Sequence, residues 1–131
     1  TLASNHNHCR CQCRVAPLDW SKLAGPGGML SIDPKPDVIL GADVFYHWEA
    51  WDDILALVRY FSDFSSGLEF YTAYQIRSSS KNIHHLLEKW GLSASEVHLR
   101  TFFPTAEEHG RYNSIRVYLI QRHKSQTYMV P

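Results

Sequence analysis

The chain has 131 residues, thirteen basic and thirteen acidic side chains, eight histidines and 44% hydrophobic residues. That length and apolar content suit one globular domain with a core and exclude a disordered chain. Balanced charge offers no basic surface for direct nucleic-acid binding, and no apolar run reaches the length of a membrane span; a cytoplasmic or nuclear home is the expectation.

Residues 1–13 carry His6, His8, Cys9, Cys11 and Cys13 within a few positions. Zinc knuckles separate their cysteines by two or more residues and bring a second ligand pair. Neither condition is met here, so no metal is expected and the segment reads as a helix end feeding a strand. An odd cysteine count fits reduced thiols rather than a disulfide framework. Arg14–Leu18 reads as a short strand stopped by Asp19 and Trp20. The loop Ala24–Pro36 contains Gly25-Pro26-Gly27-Gly28, which lacks the Lys-Ser/Thr of a P-loop and the dinucleotide-binding spacing. A turn is expected there.

Asp37–Ala42 has the composition of a buried strand and ends on Asp43, with Tyr46 three residues on. Ligands in open α/β sheets sit just past the carboxyl ends of strands, so Asp43 is placed for chemistry. The alternative is that it caps the following turn. Glu49–Phe64 repeats Trp51, Ile54, Leu55, Val58 and Phe61 at three-and-four spacing, an amphipathic helix closed by Ser65-Ser66-Gly67. Leu68–Tyr74 reads as a strand. Ser80–Trp90 reads as a helix with Ile83, Leu86, Leu87 and Trp90 inward and Gly91 as its stop. Glu96–Phe102 and Asn113–Gln121 alternate as strands, the second with Ile115, Val117 and Leu119 on one face. Between them Pro104–Tyr112 reads as an exposed loop holding Glu107, Glu108 and His109. Strands alternating with helices predict an α/β fold with a mostly parallel sheet and an antiparallel C-terminal strand. The expected layout is one partial domain over 1–131, with a helix remnant at 1–13, a core at 14–121 and a tail at 122–131.

Three motifs recur in register: Leu18-Asp19-Trp20 after the first strand, Gly41-Ala42-Asp43-Val44-Phe45-Tyr46 after the second, and Tyr74-Gln75-Ile76-Arg77-Ser78 after the third. In this the chain resembles the seven-strand, S-adenosylmethionine-dependent protein methyltransferases of the lysine methyltransferase family 16 type. The Tyr74–Ser78 stretch, with Leu86-Leu87-Glu88-Lys89-Trp90 behind it, is most similar to the branch that acts on histone arginine. The resemblance implies a doubly wound, Rossmann-like sheet and S-adenosyl-L-methionine as cofactor. It implies a protein substrate, modified on a Lys or Arg side chain. By the same resemblance Trp20 lies along the adenine, with Asp19 beside it, and the backbone of Ala42 meets the cofactor. Asp43 and Tyr46 match the Asp-x-x-Tyr at the substrate entrance, Asp43 holding the substrate cation. Gln75 and Arg77 are candidate substrate contacts.

A complete domain of this type opens with a strand and a glycine-rich turn for the methionine part of the cofactor, followed by a strand ending in a ribose-binding acid. Neither is found in these 131 residues. The isolated chain is therefore expected to bind the cofactor poorly and to be inactive. The Arg14–Leu18 strand is expected to lack its native neighbour, closing up against Asp37–Ala42, dimerising or staying disordered. The alternative function is a non-catalytic protein-interaction module derived from a methyltransferase.

Overall fold

A computed structural model describes residues 12–75, 83–105 and 114–123. The chain forms two compact units, Thr1–Ile32 and Asp33–Pro131.

In the N-terminal unit, Arg14–Leu18 is exposed and forms no ladder, which corrects the strand expected there. A strand is stable only against a hydrogen-bonding neighbour, and among the described residues none pairs with this segment. The described part of this unit from Asp19 to Ile32 is instead a nest of turns. Asp19 N–H donates to the Gly27 carbonyl (2.7 Å), Met29 N–H to Lys22 (3.0 Å) and Leu30 N–H to Leu23 (2.9 Å). The Gly25–Gly28 run is the expected turn, for a steric reason. Gly25 and Gly27 have φ of 85° and 76°, and a Cβ on Gly28 would lie 2.8 Å from backbone atoms of Ala24. Gly28→Ala is expected to destabilise this unit by about 1–3 kcal/mol, since the atoms in the way are backbone and cannot rotate aside. Limited proteolysis across 19–32 should then become faster; an unchanged rate would mean that the turn is not held this tightly.

The C-terminal unit contains β1 (Val38–Ala42), α1 (Trp51–Ser62), β2 (Glu69–Gln75), α2 (His84–Lys89), β3 (Leu92–Val97) and β4 (Ile115–Arg122). The sheet order is β1-β2-β4-β3. β1 runs parallel to β2, and β4 lies antiparallel between β2 and β3. Three strands thus share one direction and only the last opposes them. This is a mixed α/β sheet, with the antiparallel strand inserted rather than at the edge.

Helix α1 buries Trp51, Ile54, Leu55, Leu57, Val58 and Phe61, the inward set expected from the spacing plus Leu57. Asp52 and Asp53 occupy its first turn, where the helix dipole favours negative charge. Asp52 accepts from Lys89 Nζ (2.7 Å) and Trp90 Nε1 (2.8 Å), tying α1 to the end of α2. Hydrogen bonds from Lys89 and then Trp90 lower the Asp52 pKa. In the N-terminal unit, Lys22 and Ser21 hold the Asp19 carboxyl at about 2. Both folded-state values lie below the unfolded one. The stabilisation is therefore present above the ordinary carboxylate range and lost as pH falls through the lowered values. Asp52→Asn is expected to cost less than about 1 kcal/mol at neutral pH, because the pair is solvent-screened. That deficit should vanish in acid when thermal midpoints of the variant and parent are compared; a deficit independent of pH would remove the charge from the argument.

Strand β3 begins four residues earlier than alternation suggests and ends at Val97, correcting the Glu96–Phe102 reading. Gly91, at φ 61°, turns the chain straight out of α2 into the ladder, so pairing starts at Leu92↔Arg122. Beyond Val97, a 3-10 turn at Leu99–Thr101 has a three-residue period that mimics alternation over a short window. Within α2, Leu87 is buried and Ile83, Leu86 and Trp90 are half-buried; the expected Ser80 cap lies outside the described residues.

Strand alternation puts Phe70, Thr72, Leu92 and Ile120, all buried, on one face of the sheet. The opposite face carries Val38, Leu40, Tyr71, Ile115, Val117 and Leu119. Leu40 there is 79% exposed.

Candidate functional site at the carboxyl ends of the strands

Because β1 and β2 are parallel, their carboxyl ends fall at the same side of the sheet. Asp43 N–H donates to the Ala73 carbonyl at 2.8 Å, extending the ladder by one bond. That bond pins Asp43 beside the end of β2, where Gln75 is the last and exposed residue. Asp43 takes φ 53°, ψ 33°, the left-handed region, and is the only non-glycine residue described with positive φ. Its side chain makes no capping bond to the following 3-10 turn. An L-residue other than glycine pays for this conformation, and Asp and Asn pay least. The turn swings the chain off the sheet so that neighbours separate by chemistry. Phe45 goes inward and is buried, while Tyr46 stays 58% exposed and lies against His47 with ring centroids 4.4 Å apart.

Phe45 anchors the turn. Its ring meets Trp51 edge-on at 6.0 Å and Phe70 at 6.2 Å, and its carbonyl accepts the Trp51 indole N–H at 3.0 Å. Gly41 gives that packing room, because a Cβ there would fall 3.0 Å from Phe70 Cε2 and 3.1 Å from Val44 Cγ2. The strand end thus presents Asp43 and Tyr46 outward from an aromatic base. β3 runs in the same direction as β1 and β2, so exposed Phe102 and Phe103, just past its carboxyl end, belong to the same end of the sheet. The sequence reading placed Phe102 at the end of a strand and assigned Phe103 to no element; both follow the 3-10 turn at Leu99–Thr101.

Ala42, Asp43, Tyr46 and Gln75 are therefore grouped by topology. Trp20 and Asp19 belong to the N-terminal unit. Trp20 is half-buried. The Asp19 carboxylate accepts from Lys22 Nζ (2.8 Å), Ser21 Oγ (2.7 Å) and Ser21 N–H (3.1 Å), so it is already occupied in closing its own turn. Arg77, Glu107, Glu108 and His109 lie outside the described residues, as does the His6–Cys11 run. Among the described residues no cluster of metal-binding side chains occurs, and no helix is long and apolar enough to cross a membrane.

No family model matches the chain. Individual relatives do. It is 36% identical over 103 residues to "Histone-arginine methyltransferase METTL23" of Xenopus laevis, covering 72% of this chain and 43% of that protein. It is 30% identical over 105 residues to the Homo sapiens protein of the same name, covering 76% and 55%. It is 32% identical over 115 residues to "Protein-lysine N-methyltransferase EEF2KMT" of Mus musculus, covering 83% and 33%. The chain thus spans about half the length, or less, of the curated relatives it matches. The names of these relatives denote methyl transfer to arginine or lysine of a protein. The chain is METTL23-like, a homologue over about three quarters of its own length of proteins named as protein methyltransferases.

Proposed function

We propose that this chain is the C-terminal part of an S-adenosylmethionine-dependent protein methyltransferase of class I, acting on a Lys or Arg side chain. The observation that carries it is the outward Asp43 carboxylate, held in a left-handed turn at the shared carboxyl end of β1 and β2. A histone is the favoured substrate, because METTL23 relatives are named for histone arginine, and a nuclear or cytoplasmic site of action goes with it. The finer fold we propose is doubly wound, with a second helical layer over the Leu40, Tyr71 and Val117 face.

Of the residues assigned to the cofactor, Trp20 of the N-terminal unit offers an indole face, and Ala42 of the C-terminal unit is the exposed last residue of β1. Asp19 fits less well, its carboxylate being occupied by three donors. When bound, S-adenosylmethionine supplies a methyl carbon on a positively charged sulfur. The chain's own task is alignment and charge. Asp43 holds the incoming cation by a charge-assisted hydrogen bond; for arginine it also receives the proton lost around transfer, and for lysine it takes the ammonium proton beforehand, which frees the nitrogen lone pair for attack. Tyr46 forms a wall beside it, and Gln75 orients the substrate from the end of β2.

Calorimetric titration of this chain with S-adenosylhomocysteine, alongside a Trp20→Ala variant, tests the reading. Weak or no saturable heat is expected of the chain by itself. Saturable heat lost in Trp20→Ala would establish the adenine contact and bring catalysis within reach of this chain. Heat that survives the substitution would remove Trp20 from the cofactor site.

A further inference from the structure

The C-terminal unit contains a cavity of about 350 Å³. Phe45, Trp51, Tyr74, Leu87 and Tyr118 form its walls, and Thr72 lies among them. Among the described residues lining it, the polar side-chain groups are the hydroxyls of Thr72, Tyr74 and Tyr118, the Trp51 indole N–H and the imidazole of exposed His84; none carries a carboxylate, ammonium or guanidinium. The Trp51 indole N–H is already given to the Phe45 carbonyl. Thr72 differs: it is 2% exposed, and its Oγ1 has no hydrogen-bond partner. Buried hydroxyls are nearly always paired, so an orphan in a cavity wall marks a missing partner. Thr72 cannot slide away to find one, because the ladder fixes its backbone between Gly41 and Tyr118. Rotation about χ1 exchanges its methyl and hydroxyl in the wall without moving the strand.

We propose that this cavity binds a small, neutral aromatic molecule whose single polar group pairs with the Thr72 hydroxyl. The size is at the lower end of small-molecule pockets, about 300–1,000 Å³. Aromatic walls offer edge and face contacts to a flat guest. A charged guest would meet no carboxylate, ammonium or guanidinium of opposite sign in the lining and is disfavoured by desolvation. The site is chemically distinct from the strand end, where the carboxylate of Asp43 suits a cation, and its existence does not depend on methyl transfer. Phe45 joins the two, because it lies between Asp43 and Tyr46 while its ring lines the cavity.

The test uses the full chain titrated calorimetrically with phenol and, separately, with benzene, which has the same ring and no hydroxyl. Both are expected to saturate, phenol about tenfold tighter for one added hydrogen bond. Thr72→Val should bring phenol to the level of benzene and leave benzene unchanged. Ala94→Phe, which puts a ring into the cavity from β3, should abolish both while the far-ultraviolet circular dichroism is retained. Equal binding of the two probes by the parent, absence of saturable heat at millimolar probe, or binding that survives Ala94→Phe would each overturn the proposal. Should Thr72→Val fail to fold, the phenol–benzene comparison and Ala94→Phe decide the matter.

Discussion

Phe70→Ala is expected to remove much of the stability of the C-terminal unit, at a cost of about 3–5 kcal/mol. Phe70 is 2% exposed and pairs with Ile39 on one side and Ile120 on the other, so the lost ring leaves a void at the centre of the sheet. The ladder holds both neighbouring strands and prevents collapse into that space. Stability of domains this size is about 5–15 kcal/mol, so the loss is a large share. The thermal midpoint should fall on the order of 10–20 °C, with the urea midpoint moving in step. A second effect follows from position, because the same ring backs Phe45 and fills the room above Gly41. Gly41→Ala should destabilise the parent yet cost less in a Phe70→Leu background, where the crowded Cε2 is gone. Additive costs in that double-mutant cycle would mean that the two positions do not press on each other. A loss below about 1 kcal/mol for Phe70→Ala itself would contradict its placement in the core.

Substitutions at Asp43 are expected to separate stability from recognition. Asparagine tolerates the left-handed region almost as well as aspartate, so Asp43→Asn should hold stability within about 0.5 kcal/mol. Glycine relieves the steric penalty but loosens the unfolded chain, and the two effects nearly cancel. Asp43→Val, β-branched in the same turn, should lose about 1–2 kcal/mol or more. Recognition should follow a different order. Loss of a charge-assisted hydrogen bond costs about 1.5–3 kcal/mol, roughly a 10- to 150-fold fall in affinity for an Arg- or Lys-containing histone peptide. Asn and Gly should suffer this alike, measured by fluorescence anisotropy on folded protein. Peptide affinity unchanged by Asp43→Asn would end the role proposed for its carboxylate. Affinity that tracked stability across the three variants would reassign Asp43 to the turn.

What could be read from the chain alone was local. The period of α1 is written in Trp51, Ile54, Leu55, Val58 and Phe61, because one helical face must carry the core. The strand-end carboxylate was legible at Asp43, since apolar residues stop there abruptly, and the Gly25–Gly28 turn was legible from its composition. The Glu96–Phe102 strand was misplaced because alternation over seven residues does not distinguish a strand from a strand end followed by a 3-10 turn.

Other features depend on partners distant in sequence. Arg14–Leu18 has strand composition but no ladder, because backbone pairing requires a neighbour that propensity cannot supply. Insertion of β4 between β2 and β3 is set by which edges meet, and it is this that gives β3 the direction β1 and β2 share. The left-handed turn at Asp43 follows from a hydrogen bond to Ala73, thirty residues away, combined with burial of Phe45. Thr72 reads in the chain as an ordinary strand residue. Only packing of α1 and α2 against its face of the sheet buries its hydroxyl without a partner, because burial is a property of the assembled layers and of no single segment.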